Sequence, residues 1–189
     1  MSEEMIGMVL EEAAEKMDGA VAHTRSEFGG VRSGRANSAL VERLNVEYYG
    51  SDVALRQLAS FSVPEARQLL ISPFDKSAMT AIEKAIQNSD LGLNPSNDGH
   101  VIRLSFPPLT AERRKELVRL VKHMAEEGRI QLRNVRRSAR HDLGALEKDG
   151  DVTEDELARA ERDLDKMIHA KEAEISSALE AQETELLET

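Results

Sequence analysis

Residues 115–140 read KELVRLVKHMAEEGRIQLRNVRRSAR. Eight basic residues recur here at helical spacing: Lys115, Arg119, Lys122, Arg129, Arg133, Arg136, Arg137 and Arg140. At about 100° of rotation per residue all eight fall within an arc of about 100°. Leu117, Val121, Met124, Gly128, Leu132, Val135 and Ala139 fill a neighbouring arc, so one helix is expected to carry both a core face and a cationic rail. The first half of the rail has acidic neighbours along the helix, Glu116 before Arg119 and Glu126 before Arg129, whereas the stretch from Arg129 to Arg140 holds five arginines and no carboxylate. Such a run is ordinarily a solvated face, or pairs with acidic neighbours inside a bundle. The missing local compensation, and a planar guanidinium fork that suits phosphate, point instead to an external anion.

Outward from the rail, Pro107-Pro108 and a capping Thr110 predict that its helix begins near residue 110 and runs toward Leu146. The loop Lys148-Asp149-Gly150-Asp151 leads to Thr153-Glu154-Asp155-Glu156, a capping box in which threonine and glutamate satisfy each other's free backbone donors. A third helix follows, with the seam Leu157, Ala160, Leu164, Ile168, Ile175, Leu179 and Leu186 interrupted only by Lys171. At the other end of the chain, Ile6, Leu10, Ala13, Met17, Val21, Thr24, Phe28 and Val31 alternate gaps of three and four, the seam of a long helix starting near Ser2. Three such helices bury their stripes economically against one another as a three-helix bundle.

The middle of the chain has another rhythm. Leu44 to Tyr48 alternates with period two and ends at Tyr49-Gly50, and Leu58 to Val63, Arg67 to Ser72 and Val101 to Phe106 also read as strands. Asp75 is placed to cap a short helix through Met79, Ile82 and Ile86, closed by a turn over Asn94 to Gly99. The expected fold is therefore α+β with two domains: a bundle of residues 1–33 and 110–189, and a small β/α/β domain of residues 34–109 inserted into it. Two chain crossings, at Gly34 and at Pro107-Pro108, favour a hinge over free tumbling.

The 189 residues carry a net charge of −10, yet residues 103–140 hold 11 basic and 4 acidic side chains, a local balance of +7 that leaves −17 for the rest. This asymmetry directs a polyanion to one face. Aromatic residues make up 3% of the chain and none lies in the rail, so phosphate and shape, not base stacking, would provide the grip. There are no cysteines, and the five histidines lack metal-ligand spacing. Gly29 to Ala36 resembles a phosphate-binding loop only superficially: Arg35 and Ala36 replace the required lysine and hydroxyl, and the segment follows a helix, not a strand. No cofactor, metal or catalytic activity is expected. The N-terminus lacks a signal-peptide pattern and no stretch approaches the roughly 20 apolar residues of a membrane span, which leads to the expectation of a soluble cytoplasmic protein.

Six segments carry a family resemblance: Arg32-Ser33-Gly34-Arg35-Ala36, Val46-Glu47-Tyr48-Tyr49-Gly50, Leu55-Arg56-Gln57-Leu58-Ala59, Ser89 to Pro95, Pro108-Leu109-Thr110 with Glu112-Arg113-Arg114, and Arg133-Asn134-Val135-Arg136-Arg137. With these residues the chain closely resembles the bacterial ribosome recycling factors over nearly its whole length. Ser33 stands where many members have threonine, and Ser138 where an acidic residue often follows the arginine pair.

The resemblance implies an L-shaped arrangement of bundle and inserted domain, and a non-enzymatic translation factor that acts after peptide release. It implies that the bundle lies on large-subunit ribosomal RNA, and that elongation factor G with GTP, hydrolysed by that partner, drives the subunits apart. It assigns RNA contacts to Arg32 and Arg35 and to Arg129, Arg133, Arg136 and Arg137; the rail itself adds Arg140. Gly34, Pro107 and Pro108 are the expected hinge, and the factor is expected to be monomeric. The alternative from another class is a helical adaptor whose basic face binds an acidic protein.

Overall fold

The computed structural model describes residues 2–188; the expected bundle limits at residues 1 and 189 lie outside them. The described residues form two compact units, one of residues 2–31 with 111–188 and the other of Arg32–Thr110. The α+β class and the inserted arrangement expected from the seam patterns are both present.

The first unit is built from helices α1 (Ser2–Gly30), α4 (Ala111–Lys148) and α5 (Glu154–Glu188), each packed on the other two. Ala13, Met17, Val21, Thr24 and Phe28 of α1 are buried against Leu117, Val121, Ala125, Gly128, Leu132, Ala139 and Leu143 of α4 and Ala160, Leu164, Ile168, Ile175 and Leu186 of α5. Met124 and Val135, expected in the α4 core arc, are only half-buried, and Ala125 takes a fully buried place. Two partner helices on different sides of α4 pull the buried stripe wider than a single-seam wheel suggests.

At Gly128 the helices pack closely: a Cβ there would run into the Thr24 hydroxyl and come within 3.1 Å of Ile175 Cδ1. Thr24 satisfies its own buried hydroxyl by donating to the Ala20 carbonyl at 3.0 Å. Lys171, the charge in the α5 seam, lies at its edge and bridges Asp18 of α1 at 2.6 Å and Glu174 at 2.8 Å. These two carboxylates raise its pKa above the ordinary lysine value. The start of α5 is the expected capping box: the Thr153 amide donates to Glu156 Oε2 at 2.9 Å, and the Glu156 amide donates to Thr153 Oγ1 at 3.3 Å.

The second unit has a two-stranded hairpin, β1 (Asn45–Tyr48) and β2 (Ser51–Ala54), and an antiparallel four-stranded sheet in the order β3-β4-β6-β5. The sheet strands are β3 (Ala59–Glu65), β4 (Gln68–Pro73), β5 (Pro95–Asn97) and β6 (Ile102–Ser105). A one-turn helix α2 (Leu55–Leu58) joins β2 to β3, and α3 (Met79–Gln87) follows β4. Leu69 and Ile71 of β4 pair in register with Leu104 and Ile102 of β6, and all four side chains bury in one core with Met79, Ile82 and Ile86 of α3.

Asp75 caps the turn into α3 by accepting the Ser77 amide at 2.9 Å. Tyr49 (φ 50°) and Gly50 (φ 77°) form a two-residue hairpin loop with both φ positive, the geometry that matches strand twist. The segment expected as a turn over Asn94–Gly99 is corrected in part: Pro95–Asn97 is an edge strand. Pro95 begins it, where the missing N–H breaks no ladder.

Candidate nucleic-acid interface

The rail is a consequence of α4 being a single uninterrupted helix 38 residues long. Good helix formers fill it, and its one tight glycine faces the core, so its basic residues keep a constant angular position beside a buried seam.

In space the rail divides into two rows. The row toward α5 is paired with that helix. Lys122 Nζ lies 3.1 Å from Glu183, Arg136 Nη1 3.5 Å from Asp165 Oδ1, and Arg140 reaches Asp165 Oδ2 at 3.1 Å and Glu161 at 3.8 Å. Arg129 donates to Ser176 Oγ at 3.0 Å and sits 3.7 Å from Glu126. In the outer row Arg133 donates to Glu126, while Lys115, Arg119 and Arg137 are exposed and have no ion-pair partner among the described residues. The hydrogen bond from Arg133, followed by the fields of Arg133 and Arg129, holds the Glu126 carboxyl below its ordinary pKa.

The expectation that the 129–140 stretch is unneutralised is therefore corrected. Along the helix Glu126 already reaches Arg129 and Arg133, and across it α5 returns antiparallel and delivers Glu161 and Asp165 beside Arg136 and Arg140. What remains open to an outside anion is a narrower line, Lys115, Arg119 and Arg137 with Arg133 beside them. Of these, Lys115 and Arg119 belong to the rail but were not among the expected contact residues; their lack of an α5 partner is legible only in three dimensions.

Arg129, Arg133, Arg136, Arg137 and Arg140 thus come together on one helix. Arg32 and Arg35 lie in the second unit, both exposed, on the segment after α1. Gly34 between them has φ 79°, and a Cβ there would meet Leu109 Cγ at 3.2 Å and the Pro107 carbonyl at 3.6 Å, so the two connecting segments lie against each other within that unit. Pro107 and Pro108 are exposed and help to line an open cleft of about 740 Å³ with Arg67, Gln68, Asn94 and Phe106. Among the described residues, no group of three or more His, Asp or Glu side chains is arranged to hold a metal ion. Nor is any helix among them long and apolar enough to cross a membrane.

The fold and this surface define a two-unit α+β protein whose helical unit presents a partly self-paired arginine face. The ribosome recycling factor family model matches residues 24–187, and the chain belongs to that family. The ribosome-recycling factor of Cutibacterium acnes is 51% identical over 180 residues, 95% of this chain and 98% of that one. That of Acidothermus cellulolyticus is 50% identical over 184 residues, 97% of this chain and all of that one. A solution structure of the ribosome recycling factor, 43% identical, superposes with a TM-score of 0.75 over 97% of this chain and 98% of the other. The T. thermophilus factor, in models with E. coli elongation factor G bound to the E. coli post-termination complex, is 43% identical with a TM-score of 0.64, covering 96% of this chain and 98% of that one.

Proposed function

We propose that this chain splits post-termination ribosomes in the cytoplasm, acting as a monomer with elongation factor G and GTP, and that the arginine face of α4 holds it to large-subunit ribosomal RNA. The observation that carries the RNA contact is the line of exposed cations at Lys115, Arg119 and Arg137 on a chain whose net charge is −10. Guanidinium groups without a protein partner donate to phosphate oxygens in charge-assisted pairs, and the acidic remainder repels RNA elsewhere. Support for the partners comes from the T. thermophilus relative, which was placed with elongation factor G on a post-termination complex.

In this reading the bundle is a stiff lever. The factor contributes shape and charge; GTP is hydrolysed by elongation factor G. Arg32 and Arg35 add phosphate contacts from the segment after α1. Gly34 and Pro107-Pro108 serve as the hinge about which the smaller unit is pushed, because glycine tolerates the positive φ and the prolines stiffen the returning segment.

The test is a subunit-splitting assay with purified post-termination ribosomes, elongation factor G and GTP. Separation that requires this chain, and that weakens in an Arg133→Ala/Arg137→Ala variant of unchanged melting temperature, is the expected result. Full splitting by that variant would remove the rail from the mechanism, and absence of splitting by the parent chain would remove the function.

A further inference from the structure

Asp165 of α5 stands between two arginines of the proposed RNA-binding face. Its Oδ2 accepts from Arg140 Nη2 at 3.1 Å, and its Oδ1 lies 3.5 Å from Arg136 Nη1 without making a hydrogen bond. That Oδ1 atom is shielded from solvent. A carboxylate placed to stabilise a bundle would take a bidentate fork from one arginine, which satisfies both oxygens. This one is shared between two forks and leaves an oxygen desolvated and poorly satisfied, so it adds little to stability. Both arginines are still partly open, with 34% of the Arg136 and 42% of the Arg140 side chain exposed. An incoming phosphate can therefore reach the same guanidinium groups, but only in competition with a charge already in place. Once phosphate is bound, the displaced carboxylate faces it as a like charge, and that juxtaposition is unfavourable.

We propose that Asp165 is a built-in competitor for RNA phosphate, an affinity-limiting residue that holds Arg136 and Arg140 and keeps the bound factor able to leave. The inference rests on the RNA-binding reading of the α4 face. Arg137, four residues from Arg133 on the outer row and without a carboxylate partner, takes phosphate unopposed. Arg136 and Arg140 engage only as Asp165 yields. The face is thus graded: one row sets encounter, the other sets residence. Glu161, 3.8 Å from Arg140, acts the same way more weakly, through one arginine only.

The experiment measures equilibrium binding and dissociation rate on purified large ribosomal subunits, with thermal melting alongside. Asp165→Asn keeps the shape and removes the charge; it should bind about three- to tenfold tighter, mainly through slower dissociation, with little change in melting temperature. Glu161→Gln should tighten binding less. In an Arg140→Ala background the gain from Asp165→Asn should shrink, because one of the two competed groups is gone. Unchanged or weaker binding by both charge-neutralised variants, with melting intact, overturns the proposal while the RNA-binding reading stands. If Asp165→Asn lowers the melting temperature, Glu161→Gln decides: weaker or unchanged binding by it also overturns the competitor role. A parent chain that does not bind large subunits removes the underlying reading and this inference with it.

Discussion

The Thr24 hydroxyl of α1 occupies the space that a side chain on Gly128 of α4 would need, and Ile175 of α5 closes the third side. One contact therefore sets how closely all three helices approach. Glycine inside a helix costs about 1 kcal/mol relative to alanine, and here that cost is exchanged for close packing of three backbones.

Gly128→Ala should consequently destabilise the bundle in spite of its better helix propensity, by about 1–3 kcal/mol of overpacking less the propensity gain. Thr24→Ala removes the clashing hydroxyl and leaves the Thr24 Cβ at 3.4 Å, an ordinary contact distance. The double variant should melt well above the sum of the two single changes. Additive losses in urea or thermal denaturation would show that the helices simply slide apart.

Arg137→Ala and Arg119→Ala should leave melting unchanged, since neither side chain pairs within the described residues. Each should weaken binding to large ribosomal subunits by about 1–3 kcal/mol and lower the slope of log affinity against log salt by about one. Leu132→Ala should do the opposite, costing about 2–5 kcal/mol of stability from a fully buried position. Sedimentation binding at several salt concentrations, beside calorimetry, separates the two classes.

The Glu156 carboxyl, held first by the Thr153 amide and then by the Thr153 and Ser2 hydroxyls, has its pKa lowered from the ordinary glutamate value. A depressed folded-state pKa means its stabilisation is fully present above the unfolded value and is lost as pH falls through the folded one. Carboxyl NMR should therefore find Glu156 titrating on the acid side of typical glutamates. Thr153→Ala should move it back toward them and cost about 1 kcal/mol at neutral pH.

Gly34→Ala forces an L side chain into φ 79° with Leu109 Cγ 3.2 Å from the new methyl. It should destabilise the smaller unit by about 1–2 kcal/mol. Faster amide exchange in β4 and β6 than in α4 would localise the effect.

The three long helices were legible because a seam repeated through helices of 29, 38 and 35 residues outweighs local noise, and the Thr153–Glu156 box marked one start to the residue. Short elements were less so. Ser51–Ala54 and Pro95–Asn97 are four and three residues long, and each pairs with a strand the chain has already or has yet to make; nothing within the segment reveals that partner. The cationic face was visible as a pattern on α4, but its internal neutralisation was not. Asp165 meets Arg140 only because α5 folds back, and period-counting along one helix carries no information about the facing one.

The bundle takes its first helix from one end of the chain and its other two from beyond the insert, α1 ending at Gly30 and α4 beginning at Ala111. During synthesis α1 leaves the exit tunnel with its apolar stripe complete and no surface to receive it. α4 and α5, joined by a short loop, can zip together as neighbours, whereas α1 must dock across a long sequence separation, with the entropy of that closure set against it. The Thr24–Gly128 and Asp18–Lys171 contacts are thus expected to form late, and an insert that folds before α1 docks would shorten the effective loop that brings α1 to its groove.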